Sequence, residues 1–84
     1  MTTEPAVFDG LYRTNDMYFA GYLKVARVPF SDTVRENGKV VFLFEAADQT
    51  VMRDLKRQYF SGTATVSALD YAQAVKWAKS LTHM

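Results

Sequence analysis

The fold is decided by one stretch near the N-terminus, which reads Thr14-Asn15-Asp16-Met17-Tyr18-Phe19-Ala20-Gly21-Tyr22-Leu23-Lys24-Val25-Ala26-Arg27. At the helical spacing of about 100° per residue, Asp16, Lys24 and Arg27 fall in one narrow arc. Apolar side chains fill most of the remaining circumference. An ordinary surface helix has a much narrower apolar face, so this pattern predicts a helix that other elements cover on several sides.

The two ends of this helix are marked in the sequence. Thr14 or Asn15 offers an oxygen for an N-cap, and Asp16 places negative charge near the positive end of the helix dipole. Pro29 disfavours helical geometry in the residue before it, so we expect the helix to stop near Val28.

A β-hairpin is predicted after the helix. Asn37-Gly38 tolerates the positive φ angles of a two-residue type I′ turn, and it separates strand-like segments 30–36 and 39–45. The second segment carries apolar side chains on both faces, which indicates a central strand with two neighbours. The second neighbour is either Leu11–Thr14 or Thr63–Val66.

The rest of the chain adds two helices. Asp48 is the expected N-cap of a helix that reaches about Phe60, and Ser67 begins the last helix. The order (β)-α-β-β-α-(β)-α predicts an α+β fold, a small antiparallel sheet around the hairpin 30–36/39–45 packed with three helices. The strands in parentheses are 11–14 and 63–66; if both form, the order becomes ferredoxin-like. We expect a flexible N-terminal tail over residues 1–9 and a single domain over residues 10–82.

Composition excludes several classes of function. With 84 residues the chain has room for one small domain, and without cysteine it has no disulfide and no thiolate metal site. Its single histidine, His83, stands beside the C-terminus, and no catalytic constellation surrounds it in the sequence. We therefore expect no enzyme activity, no cofactor and no metal. Apolar runs are far shorter than the ~20 residues of a membrane span, and a signal peptide is absent, so we predict a cytoplasmic protein that does not enter the membrane.

Aromatic side chains lead to the first functional hypothesis. Tyr18 and Tyr22 lie one helical turn apart, and Trp77 falls just outside the apolar arc of the last helix. An exposed aromatic surface is typical of protein interfaces. The first hypothesis is therefore a protein that binds a protein partner or a second copy of itself as a homodimer. For Tyr18 and Tyr22 the alternative is a place at the edge of the core, and for Trp77 it is burial against the N-terminal tail.

Basic side chains give the alternative hypothesis, a nucleic-acid-binding accessory protein. Its candidate residues are five cations on the second and third helices: Arg53, Lys56, Arg57, Lys76 and Lys79. If those two helix faces adjoin, the cations would meet a phosphate backbone together. The net charge of only +1 gives no general attraction to nucleic acid.

Several segments recur together in a known group of proteins. They are Tyr12-Arg13-Thr14-Asn15-Asp16-Met17-Tyr18-Phe19-Ala20-Gly21-Tyr22-Leu23, Val40-Val41-Phe42-Leu43-Phe44-Glu45, Tyr59-Phe60-Ser61-Gly62 and the helix from Val66 to Leu81. In this order they resemble a family of short, uncharacterised bacterial and phage proteins described only as a domain of unknown function. The family often opens its last helix with proline, where this chain has Ser67-Ala68. The resemblance implies a compact α+β domain and a phage or mobile-element source, and it implies no activity.

Overall fold

The α+β fold predicted from the sequence is confirmed by a computed structural model, which describes residues 11–46 and 48–83. Its elements in chain order are β1 (Leu11–Thr14), α1 (Met17–Val25), β2 (Phe30–Glu36), β3 (Lys39–Glu45), α2 (Gln49–Ser61) and α3 (Ala68–Leu81). The predicted tail over residues 1–9 lies outside the described residues.

The sheet has the order β1-β3-β2, and both strand pairs are antiparallel. The strand β3 is therefore central, as its two apolar faces predict, and β1 is its second neighbour. Asn37 and Gly38 have φ angles of 54° and 80°, which confirms the predicted turn type.

The segment Thr63–Val66 is not a strand, so the ferredoxin-like order does not form. The backbone N–H groups of Thr63 and Ala64 both donate to the carbonyl of Gln58, at 3.0 and 3.1 Å. These donors fold the chain back onto the end of α2 and are used there, rather than in a strand ladder.

The inner face of the sheet forms the core with the helices. Phe42 and Phe44 lie on this face, with Tyr12 opposite Phe44 on β1 and Phe30 opposite it on β2. Four large side chains are fully buried here, namely Phe19, Leu23, Phe42 and Phe44.

The outer face is covered in part by an ion pair that crosses the sheet. Val41 and Leu43 are only 8% and 9% exposed on this face. Arg13 lies opposite Leu43, and its guanidinium pairs with the carboxylate of Glu36. Because β1 and β2 flank β3, this pair spans the central strand, and its aliphatic stems shield the apolar side chains beneath.

The helix α1 is covered on several sides, as predicted. Its residues 19–23 are all buried, and its closest neighbour is α3. A Cβ atom placed on Gly21 would lie 2.9 Å from Cγ2 of Val75 and 3.1 Å from its backbone nitrogen. Buried Ala74 and Ala78 complete the small-residue contact on α3. The two helices approach this closely because Gly21 has no side chain.

The N-cap of α1 differs from the sequence prediction. The cap is Asp16 rather than Thr14 or Asn15, and its carboxylate accepts from the backbone N–H of Tyr18 and of Phe19 at 2.9 and 3.1 Å. Thr14 supports the cap from outside, since its hydroxyl oxygen accepts from the N–H of Asp16 at 3.1 Å.

The C-terminus of α1 comes earlier than predicted, at Val25. Arg27 has a left-handed backbone with φ of 68°. The N–H of Val28 donates to Leu23 O and that of Arg27 to Lys24 O, both at 3.0 Å. This is a Schellman motif. The helix therefore ends at Val25, several residues before the position where Pro29 would disfavour helical geometry.

The predicted caps of the other helices are confirmed. Asp48 accepts from the N–H of Thr50 at 2.9 Å, and Ser67 accepts from the N–H of Asp70 at 3.3 Å. Gly62 closes α2 in the left-handed conformation with φ of 79°.

Candidate functional site

Aromatic rings gather where the start of α1 meets the end of α2. The ring of Phe19 lies 5.0 Å from that of Tyr59 and 5.5 Å from that of Phe60, measured between centroids. Tyr22 lies 5.3 Å from Tyr59. The start of α3 joins them, because the Tyr71 hydroxyl donates to the backbone carbonyl of Tyr18 at 3.1 Å. We call these six residues the aromatic cluster: Tyr18, Phe19, Tyr22, Tyr59, Phe60 and Tyr71.

Two members of the aromatic cluster face the solvent. Tyr18 is 55% exposed and Phe60 is 63% exposed. Phe60 was not among the residues selected from the sequence, although two adjacent aromatic residues on a helix, Tyr59 and Phe60, indicate that one of them is exposed. Neighbouring helical residues point about 100° apart, so two such residues rarely both reach one core.

Tyr22 is buried, so the hypothesis that places it on an exposed aromatic surface is wrong for this residue. It is only 5% exposed, and its ring packs on Phe19 and Tyr59. The end of α2 covers it, and a helical pattern read from α1 alone contains no information about that cover. Tyr22 is therefore part of the buried base of the aromatic cluster, where it packs on Phe19 and Tyr59.

Trp77 lies toward the other end of α3, away from the aromatic cluster. Its ring meets Phe30 edge-on at 4.9 Å, and the ammonium of Lys24 stands 4.8 Å from its centroid. It is half-buried, packed against the core. Trp77 thus covers the junction of the sheet with α1 and is not brought together with Tyr18.

The hydroxyl of Tyr59 holds its proton more firmly than a free phenol. Burial raises the pKa of Tyr59 from its usual 10.0 to about 12, and the neighbouring Tyr71, Asp16 and Tyr18 add to the rise. A neutral phenol both donates and accepts hydrogen bonds. The cluster therefore offers apolar area with polar hydroxyl edges. Within residues 11–46 and 48–83, no group of histidine, aspartate and glutamate side chains is arranged to hold a metal ion.

The five predicted cations do not form one surface. They are all exposed, with Arg53, Lys56 and Arg57 on α2 and Lys76 and Lys79 on α3. The guanidinium of Arg57 is paired with Asp54 at 2.9 Å. Across the described residues α2 and α3 make little direct contact, and each packs on α1. The basic faces are therefore two separate groups.

Comparison with known proteins gives no relative: no family model, no curated protein and no solved structure matches the chain. The resemblance to uncharacterised bacterial and phage proteins stays a prediction. Among the helices that the structure describes, none has the length and apolar character needed to cross a membrane.

Proposed function

We propose that this protein acts without catalysis by binding another protein, in the simplest case a second copy of itself, through an aromatic surface. The aromatic surface consists of Tyr18 and Phe60, with Tyr59 and Tyr71 at its edge. One observation carries the proposal: Tyr18 and Phe60 are 55% and 63% exposed, and both adjoin buried Phe19, Tyr18 as its chain neighbour and Phe60 by ring packing. The absence of cysteine supports a cytoplasmic setting for this activity.

The energetics of Phe60 favour a covered state. Full burial of a phenylalanine side chain contributes about 1.5–3 kcal/mol, and most of that remains available while the ring faces water. Tyr18 adds apolar area with a hydroxyl that can bond across an interface. Aromatic residues of this kind dominate the binding energy of protein interfaces. A symmetric dimer would use the same patch on both copies.

Sedimentation equilibrium of matched variants tests the proposal. Phe60→Ser and Tyr18→Ser should remain monomeric at concentrations where the wild type associates. Val51→Ser is the control, because Val51 is also an exposed apolar residue of α2 but stands at the opposite end of that helix. It should associate like the wild type.

Two results would overturn self-association through this surface. One is a wild type that stays monomeric at the highest attainable concentration. The other is an association that Phe60→Ser and Val51→Ser weaken equally. If the wild type is monomeric, affinity capture from a lysate should retain a protein on wild-type and Val51→Ser baits that Phe60→Ser loses.

One observation supports the alternative hypothesis that the protein binds nucleic acid. Arg53 and Lys56 are exposed neighbours on α2 without an ion-pair partner among the described residues. Such a group would bind DNA or RNA with an affinity that falls steeply as salt is added. The absence of any mobility shift at low salt would exclude this function.

A further inference from the structure

A cleft lies between β1 and the first two turns of α2. Its volume is about 300 Å³, the lower end of the range for small-molecule sites. It is lined by Leu11, Tyr12, Ala46, Gln49, Met52, Arg53 and Lys56. The cleft thus has the size for a single small ligand.

The lining divides into an apolar part and a positively charged part. Leu11, Tyr12 and Met52 provide apolar surface, and no acidic residue is among the lining side chains. The ammonium of Lys56 stands 5.7 Å from the centroid of the Tyr12 ring. Such a cation beside an apolar wall favours a ligand that joins an apolar body to a negative charge.

The two cations of the cleft are not neutralised within the protein. Ion pairs in the described part of the chain engage Arg13 and Arg57, with Glu36 and Asp54. Arg53 and Lys56 make none there. A ligand anion would therefore meet positive charge that no carboxylate of the described residues already satisfies.

We propose that this cleft binds a small amphipathic carboxylate, a molecule with one ring or a short chain and a single carboxylate. The apolar body lies against Tyr12 and Met52, and the carboxylate faces Arg53 and Lys56. An arginine guanidinium can bond both oxygens of a carboxylate, and the lysine adds a second positive charge. This site uses none of the side chains of the aromatic surface, although Lys56 stands one turn before Phe60 on α2 and the ring of Tyr12 lies 6.0 Å from that of Phe19.

An NMR titration with three matched probes tests the charge requirement. The probes are cinnamate, its neutral analogue cinnamamide and the cation cinnamylamine, which share one apolar body. Cinnamate should bind with a Kd in the roughly millimolar range expected of so small a ligand. Saturable shifts should appear at the Met52 methyl and at the backbone amides of Tyr12 and Arg53. Equal binding of the amide and the carboxylate, or shifts that map elsewhere, would overturn the proposal.

Charge-removing variants then test the two cations. Arg53→Gln and Lys56→Gln should each weaken cinnamate binding roughly two- to fivefold, the effect of one exposed ion pair. Lys76→Gln is the control, because it removes the same charge from an exposed position on α3, outside the cleft. If all three variants weaken binding equally, the effect comes from net charge and the assigned site is wrong. All three side chains are exposed, so the fold should persist, and far-UV circular dichroism checks this.

Discussion

The close contact between α1 and α3 at Gly21 predicts that Gly21→Ala is destabilising, against the usual preference of a helix for alanine. In a helix interior, glycine to alanine ordinarily stabilises by about 0.5–1 kcal/mol. Here the added Cβ would lie 2.9 Å from Val75 Cγ2, and 3.1 and 3.2 Å from the backbone N and Cα of Val75. A side-chain rotation can relieve only the first contact. The two backbone contacts require α3 to move away from α1.

The expected change in the free energy of unfolding follows from two opposing effects, the helix propensity of alanine and the steric cost of the added methyl group. Forcing an extra methyl group into a packed contact costs about 1–3 kcal/mol. Because the backbone of α3 is involved, we take the upper part of that range and subtract the gain in helix propensity. The net loss in the free energy of unfolding is then about 1–2 kcal/mol. In a domain of this size each kcal/mol corresponds to roughly 4–8 °C in Tm.

Urea unfolding followed by Trp77 fluorescence measures this loss, since Trp77 lies on the displaced helix. Val75→Ala alone removes Cγ2 and serves as the reference for a double-mutant cycle with Gly21→Ala. The double variant should recover only part of the loss, because the contacts to the Val75 backbone remain. A Gly21→Ala protein as stable as the wild type, or more stable, would refute the close contact.

Three further predictions concern the helix ends and the aromatic cluster. Arg27→Gly should raise the free energy of unfolding by about 0.5–1 kcal/mol, because glycine adopts the left-handed conformation without the penalty that arginine carries. A lower free energy of unfolding for this variant, measured by denaturant titration, would contradict the prediction. Asp16→Ala should cost about 1 kcal/mol by removing the N-cap, whereas Asn15→Ala should leave the unfolding midpoint nearly unchanged. The pKa of Tyr59 is raised from 10.0 to about 12, so its folded form holds the proton more firmly than its unfolded form. That stabilisation is complete below pH 10 and is lost as pH rises toward 12. Tyr59→Phe should flatten this fall in a series of unfolding curves, and an unchanged slope would show that another group is responsible.

Local signals decided most of the fold. Asn37-Gly38 determined the turn and the register of the hairpin, because few other residue pairs tolerate two positive φ angles. Apolar groups on both faces of β3 required a third strand, and β1 provides it. The wide apolar circumference of α1 predicted that other elements cover this helix on several sides, and its residues 19–23 are all buried.

The sequence-based predictions were wrong at positions where tertiary contacts determine the helix ends or the exposure of a side chain. Thr14, Asn15 and Asp16 are all good N-caps, and the choice of Asp16 follows from where β1 ends and how Thr14 bonds back. The end of α1 depends on an arginine in a conformation that usually selects glycine, so the sequence gives no warning of it. Tyr22 and Phe60 were misjudged or missed for one reason. The end of α2 lies over α1, and this contact exists only in three dimensions.

If the aromatic surface binds a second copy, as we propose, the same contact should couple that binding to the stability of α2. Met52 is the one buried residue of this helix, Leu55 packs against the core beside it, and the rings of Tyr59 and Phe60 pack on Phe19 at the end of the helix. A second copy that covers Phe60 would hold the end of α2 in place as well as bury the ring. Because such a partner binds the folded chain only, it raises the apparent stability with concentration. The unfolding midpoint of the wild type should therefore rise with protein concentration. That of Phe60→Ser should be lower and independent of concentration, because the substitution removes both the ring that packs on Phe19 and the proposed interface.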